Sequence, residues 1–142
     1  MTERSASVVW HGDLLSGAGT IAAAPSGAFG PLDVTWASRA EEPNGRTSPE
    51  ELIASAWASC FAMALSNGLA KDGTPPERLE TSATVTFQPG EGIVKGALTV
   101  RGTVPGLDDA GFSAAAEDAK KNCPVSKALA GIPDVSLEAT LA

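Results

Sequence analysis

The sequence predicts an α+β fold, and three observations carry that prediction. The segment Ser48-Pro49-Glu50-Glu51 has the residues of a capped helix start and opens a long apolar stretch that continues to Lys71. Two alternating stretches, Thr81 to Phe87 and Ile93 to Val104, flank the turn residues Pro89-Gly90-Glu91-Gly92 and read as an antiparallel hairpin. The remaining elements give the order βββ-α-ββ-αα-β, with no internal repeat and no dividing linker, so one domain over residues 1-142 is expected.

Taken in order, Ser5 to Trp10 is strand-like, Ser16-Gly17-Ala18-Gly19 is a turn, and Thr20 to Ala24 suits a hairpin partner. A third strand is expected over Leu32 to Ser38. From Ala40 to Thr47 a polar loop follows, because Pro43 and Gly45 oppose regular structure. The helix from Ser48 carries Leu52, Ile53, Trp57, Phe61, Met63, Leu65 and Leu69 around nearly every side, with Gly73 as its stop. Such a helix is expected to be enclosed on all sides, and its alanines admit a second helix at close range. After the hairpin, an alanine-rich helix is expected within Leu107 to Asn122. Pro124 opens a short second one ending near Gly131, and Val135 to Leu141 alternates as a closing strand.

A chain of 142 residues buries about two thirds of the surface its unfolded form exposes, so disulfide staples are not needed. Hydrophobic content of 43% beside 19% charged residues is ordinary for a soluble globular chain. A net charge of -7 repels phosphate backbones and anionic lipid, and the basic residues are scattered apart from Lys120-Lys121. These features exclude nucleic acid as an expected partner. The opening Met1-Thr2-Glu3-Arg4-Ser5 lacks the pattern of a secretion signal, and the apolar run Leu52 to Leu65 is too short to cross a bilayer. A cytoplasmic location without membrane attachment is expected, where thiols stay reduced and a disulfide is transient.

Against that background the two cysteines stand out. Cys60 lies deep in the apolar helix and reads locally as a small buried hydrophobe, or as a reactive thiol if the fold brings a cation to it. Cys123 stands at a helix start, where unpaired N–H groups favour a thiolate, so local rules select it as the nucleophile, or as a capping residue where serine would serve. One histidine and two distant cysteines do not form a zinc, heme or iron-sulfur ligand set, so no metal or cofactor is expected.

The segment from Thr47 to Leu65, TSPEELIASAWASCFAMAL, closely resembles the helix of OsmC/Ohr proteins, and Cys123-Pro124-Val125-Ser126-Lys127-Ala128-Leu129 resembles their second cysteine motif. The resemblance extends to Trp10-His11-Gly12-Asp13 and Val104-Pro105-Gly106-Leu107, and is nearer the osmotically inducible branch. It implies antiparallel sheets wrapped around central helices in an intertwined homodimer. It also implies a thiol-dependent peroxidase acting on organic hydroperoxides and reset by a thiol reductant. Cys60 would attack and Cys123 resolve, which reverses the local choice of nucleophile. By motif position Arg39 and Glu50 would assist Cys60, with Arg46 as the competing cation.

Read locally, Glu50 is a carboxylate favoured by the first turn of a helix, and Arg39 a solvated charge at the end of a strand. Glu50 and Cys60 lie ten residues apart, about 15 Å along one helix axis, so one helix cannot bring them together. If both serve one site, as the resemblance implies, two antiparallel copies of the helix can join them, which points to a two-fold dimer with composite sites. Trp57 and Phe61 flank Cys60 and are candidates for an apolar substrate pocket as well as core. His11 reads as a surface-strand residue rather than a general base. Two alternatives remain open: a non-catalytic, stress-related binding protein of the same fold with an apolar pocket, and a buried thiol pair without redox function.

Overall fold

The elements run β1 (Val8–His11), β2 (Ala18–Ile21), β3 (Leu32–Val34), α1 (Trp36–Ala40), α2 (Pro49–Lys71), β4 (Arg78–Gln88), β5 (Gly92–Thr103), α3 (Asp109–Asn122), α4 (Pro124–Ala128) and β6 (Asp134–Leu141) in a computed structural model, which describes residues 1–142. The α+β class and the expected order hold, with two departures. The chain gathers into two units, Met1–Leu52 and Ile53–Ala142, and the boundary falls inside α2.

In the first unit β1, β2 and β3 form an antiparallel sheet in that order, with Trp10 opposite Gly19. The Trp10 ring lies across Gly19, where an added Cβ would come within 2.7 Å of it. The first departure follows β3. The strand expected through Ser38 stops at Val34, because Thr35 caps a short helix: its hydroxyl accepts from Ser38 N at 3.0 Å, and the Ser38 hydroxyl accepts from Thr35 N at 2.9 Å. This reciprocal pairing satisfies two helix-end donors and overrides strand alternation.

The loop after α1 turns back on itself at Pro43-Asn44-Gly45-Arg46, where Arg46 N donates to Pro43 O at 2.9 Å. Asn44 and Gly45 both have positive φ, 47° and 79°, which is the signature of a type I′ turn. Thr47 N then donates to Asp33 O, and the buried Ser38 hydroxyl donates to Thr47 O at 2.8 Å. These bonds hold the start of α2 beside α1. Ser48 caps α2 as expected, its hydroxyl accepting from Glu51 N at 3.2 Å. The Glu51 carboxylate accepts a hydrogen bond from the Thr47 hydroxyl at 2.7 Å.

In the second unit the strand order is β4-β5-β6. The β4–β5 hairpin is antiparallel and closes at Gln88–Glu91, with Gly90 at a φ of 87° supplying the conformation that a turn after Pro89 requires. The second departure is β6, which pairs parallel to β5 instead of extending an antiparallel sheet. Two helices separate these strands in sequence, and a crossover of that kind returns the chain in the same direction.

One stripe of α2, Trp57, Phe61, Leu65 and Leu69, joins Leu98, Val100, Val104, Phe112, Ala116, Ala119, Cys123 and Ile132 in the core of this unit. The expectation of a helix enclosed on all sides is corrected for the single chain: Ser55, Ala56 and Ser59 are exposed or nearly so along one side, and Met63 is 72% exposed. At 23 residues α2 also reaches membrane-spanning length, beyond the apolar run Leu52 to Leu65. Its large apolar stripe is nonetheless occupied by protein packing.

Candidate active site

The capping bonds of the first unit have a chemical result, because Arg39 in the last turn of α1 meets Glu50 in the first turn of α2. Arg39 Nε donates to Glu50 Oε1 at 2.9 Å and to Oε2 at 3.2 Å, and Nη2 donates to Oε1 at 2.8 Å. The Glu50 side chain is 8% exposed and that of Arg39 31%, so a nearly buried carboxylate is matched by the planar fork of a guanidinium. Glu50 therefore does more than complement the helix dipole. Arg39 is a helix residue rather than the strand-end charge read from sequence. Arg46, the competing cation, is exposed in the loop and lines a shallow groove with His11, Asp33 and Thr35. His11 ends β1, exposed.

Arg39 also lines an apolar cavity of about 350 Å³ bounded by Val8, Trp10, Leu14, Ile21, Val34, Thr35, Trp36, Pro49 and Leu52. A larger depression of about 780 Å³ near Glu3, Ser26 and Phe29 includes none of the candidate residues. Trp57 and Phe61, the aromatic pocket candidates, are 1% and 0% exposed and belong to the core. This agrees with their placement as core residues, and within one chain neither offers a face to an incoming molecule. Sequence reasoning does not single out Trp10 and Trp36 as cavity residues. The signal for them is chemical rarity, three tryptophans in a chain without tyrosine, but pattern alone does not tell which of the three is buried.

In the second unit the fold brings Cys60 of α2 and Cys123 into direct side-chain interaction, both as free thiols. Cys60 is partly buried, and Cys123 is fully buried where α3 ends and α4 begins. Burial pushes the Cys60 thiol above its ordinary range, and the neighbouring Cys123 adds to that through hydrogen bonding and charge; the Val125 backbone opposes it. Burial raises Cys123 too, but hydrogen bonds from Cys60 and from the Ser126 backbone and hydroxyl, with a contribution from the Val125 backbone, bring it below the ordinary value. The sulfur closes no regular capping bond, so these N–H groups act by proximity and orientation at the helix start. Within one chain the surroundings of Cys123 thus favour its ionised form and those of Cys60 the neutral thiol. No cluster of three or more His, Cys, Asp or Glu side chains is arranged for a metal ion.

Glu50 and both cysteines lie in a segment that matches a known family. The family model described as OsmC-like protein matches residues 42–138, a span that includes Glu50, Cys60 and Cys123. Peroxiredoxin OsmC of Escherichia coli (strain K12) is 39% identical over 123 residues, covering 84% of this chain and 85% of that protein. An organic hydroperoxide resistance protein of Xanthomonas axonopodis pv. citri (strain 306) is 32% identical over 95 residues, covering 64% of this chain and 65% of that protein. Among solved structures, an OsmC like protein from Mycoplasma pneumoniae matches with a TM-score of 0.74 at 14% identity, over 99% of this chain and 98% of that one. An organic hydroperoxide resistance protein OsmC from Legionella pneumophila matches with a TM-score of 0.71 at 24% identity, over 99% of both chains. The solved structures speak for the fold, and the sequence matches speak for descent. With more than half its length matched and a relative at 39% identity over most of both chains, this chain belongs to the OsmC-like protein family.

Proposed function

We propose that this chain is a thiol-dependent peroxidase that reduces organic hydroperoxides, with Cys60 as the attacking residue and Cys123 as the resolving one. The observation that carries the reading is the direct interaction of the chain's two cysteines, distant in sequence and both free. Relatives called peroxiredoxin and organic hydroperoxide resistance protein support it. The Cys60 thiolate attacks a peroxide oxygen, the O–O bond breaks, and the alkoxide leaves as alcohol after taking a proton. The Cys60 sulfenic acid is then attacked by Cys123, forming the S–S bond and releasing water. Two external thiols return the pair to its reduced form and become one disulfide.

Cys60 needs a cation, because its own surroundings favour the neutral thiol. A thiol of pKa about 8.5 is roughly 3% ionised at pH 7, and lowering it by two units raises that to about three quarters, a gain of roughly 25-fold. Arg39, oriented by Glu50, is the cation in this reading. Ten helical residues separate Glu50 from Cys60, about 15 Å, so the reading requires two subunits, with Arg39 of one serving Cys60 of the other. The small residues Ser55, Ala56 and Ser59 along the open side of α2 suit the antiparallel helix contact that such a homodimer needs. The apolar cavity beside Arg39 takes the organic group of the peroxide, and the Glu50 carboxylate orients the arginine without touching substrate.

Titration with tert-butyl hydroperoxide followed by intact mass tests the cycle. The protein should lose two hydrogens at one equivalent, Cys60→Ser should abolish peroxide consumption, and Cys123→Ser should leave a trappable sulfenic acid on Cys60. Near-normal turnover by Cys60→Ser overturns the assignment. An unchanged mass together with saturable binding of the intact peroxide would favour the non-catalytic binding protein.

A further inference from the structure

Trp57 is fully buried beside the thiol pair, and its one polar atom is used: indole Nε1 donates to Ser126 Oγ at 2.8 Å, joining α2 to α4. The ring is held against β5, where Gly96 leaves the room it needs; a Cβ there would lie 2.5 Å from the ring. An indole nitrogen only donates, so the Ser126 oxygen must accept, and its own hydroxyl proton is then directed to a different acceptor. Ser126 is the third residue of α4 and Cys123 is its N-cap. Side chains at these two positions face one another across the first turn. The usual target of the third side chain, the N-cap backbone N–H, is already committed, because Cys123 N donates to Ala119 O at 2.8 Å. Among the acceptors within reach of that proton is the Cys123 sulfur, whose ionisation the Ser126 hydroxyl favours.

We infer that Trp57 and Ser126 are positioning residues for Cys123: the indole N–H orients the Ser126 hydroxyl, and the hydroxyl holds the Cys123 sulfur ready to react as a thiolate. In the proposed peroxidase cycle, on which this inference rests for its use, the Cys123 thiolate attacks the Cys60 sulfenic sulfur. The S–O bond breaks, hydroxide leaves and becomes water on protonation, and the Ser126 proton stays on its oxygen throughout. In the reductive half, an external thiolate attacking Cys60 expels Cys123, which the same hydrogen bond makes the better leaving group. The groups acting on the Cys123 sulfur are Cys60 from α2 and Ser126 and Val125 from α4. The nearest charges in sequence, Lys120 and Lys121, end α3, and Lys120 pairs with Glu117 at 3.6 Å.

The test uses Cys60→Ser as background, which leaves Cys123 as the single thiol, and reads thiolate absorbance near 240 nm against pH without any peroxide. Adding Ser126→Ala should raise the Cys123 midpoint by about one pH unit, a tenfold loss of thiolate well below that midpoint, and Ser126→Thr should restore it. Trp57→Phe keeps an aromatic side chain and removes the N–H; it should raise the midpoint by less, and combined with Ser126→Ala it should add nothing further. An unchanged midpoint in Ser126→Ala, or shifts that add in the double variant, overturns the inference. The double variant also removes both polar partners together, so a Trp57 N–H stranded by Ser126→Ala cannot account for the result. With Cys60 restored, disulfide formation after one equivalent of tert-butyl hydroperoxide should slow about tenfold at pH 7 in Ser126→Ala. Absence of any disulfide in the unsubstituted protein would sink the peroxidase reading, while the titration would still decide the role of Trp57 and Ser126.

Discussion

Glu50 is the one charged residue buried in the chain, and its carboxylate depends on Arg39 for compensation. Arg39→Ala should destabilise the fold by about 1–3 kcal/mol, less than for a fully enclosed pair because the arginine is 31% exposed. Urea midpoints at constant m check this. Arg39→Lys should recover only part of the loss, since an ammonium cannot reproduce the two-pronged contact. In the proposed reaction Arg39→Ala should also lower peroxide turnover at pH 7 by about 25-fold, the thiolate fraction lost. The thiols give a pH test with a definite sign. In Arg39→Ala, absorbance near 240 nm should rise in two steps with pH, the lower step belonging to Cys123 and the higher to Cys60. A lower step that survives Cys123→Ser would contradict the order.

At the level of elements, two glycines separate packing from propensity. Gly96→Ala should cost about 1–3 kcal/mol, because its Cβ would sit 2.5 Å from the Trp57 ring, which is itself fixed by the bond to Ser126. Gly68 lies inside α2 with nothing within 4 Å of where a Cβ would stand, so Gly68→Ala should stabilise by about 0.5–1 kcal/mol. Thermal melts of the two variants should move in opposite directions. The elements most readily legible in the sequence are those with local chemistry of their own: the Ser48-Pro49 start of α2, the Pro89-Gly90 turn, and the Pro124 start of α4. The end of β3 is not legible, because Thr35 and Ser38 cap each other within a stretch that also fits strand alternation. The parallel pairing of β6 is not legible either, because alternation tells which residues face the core and not the direction of a neighbour.

For the whole molecule, the proposed division of each active site between two subunits makes a prediction no single-chain mechanism shares. Arg39→Ala and Cys60→Ser proteins, each inactive or nearly so alone, should regain about a quarter of the unsubstituted activity when unfolded and refolded as an equal mixture. Half the dimers are then mixed, and one site in each is intact. If each site were built within one chain, mixing would restore nothing. Sedimentation of the unsubstituted protein should give a dimer.

Sequence by itself determined the α+β class, the long helix with its capped start, and a thiol pair marked out by the near absence of other metal- or redox-active groups. These are readable because capping residues, turn residues and hydrophobic period act over a few positions. Tertiary structure decided the rest. It placed Cys123 against Cys60 and Ser126 against Trp57, joined Arg39 to Glu50 through the bonds of Ser38 and Thr47, and sent Trp57 to the core while Trp10 and Trp36 lined the cavity. Those pairings depend on how distant elements pack, and the electrostatics of a buried thiol depend on which dipoles that packing turns toward it.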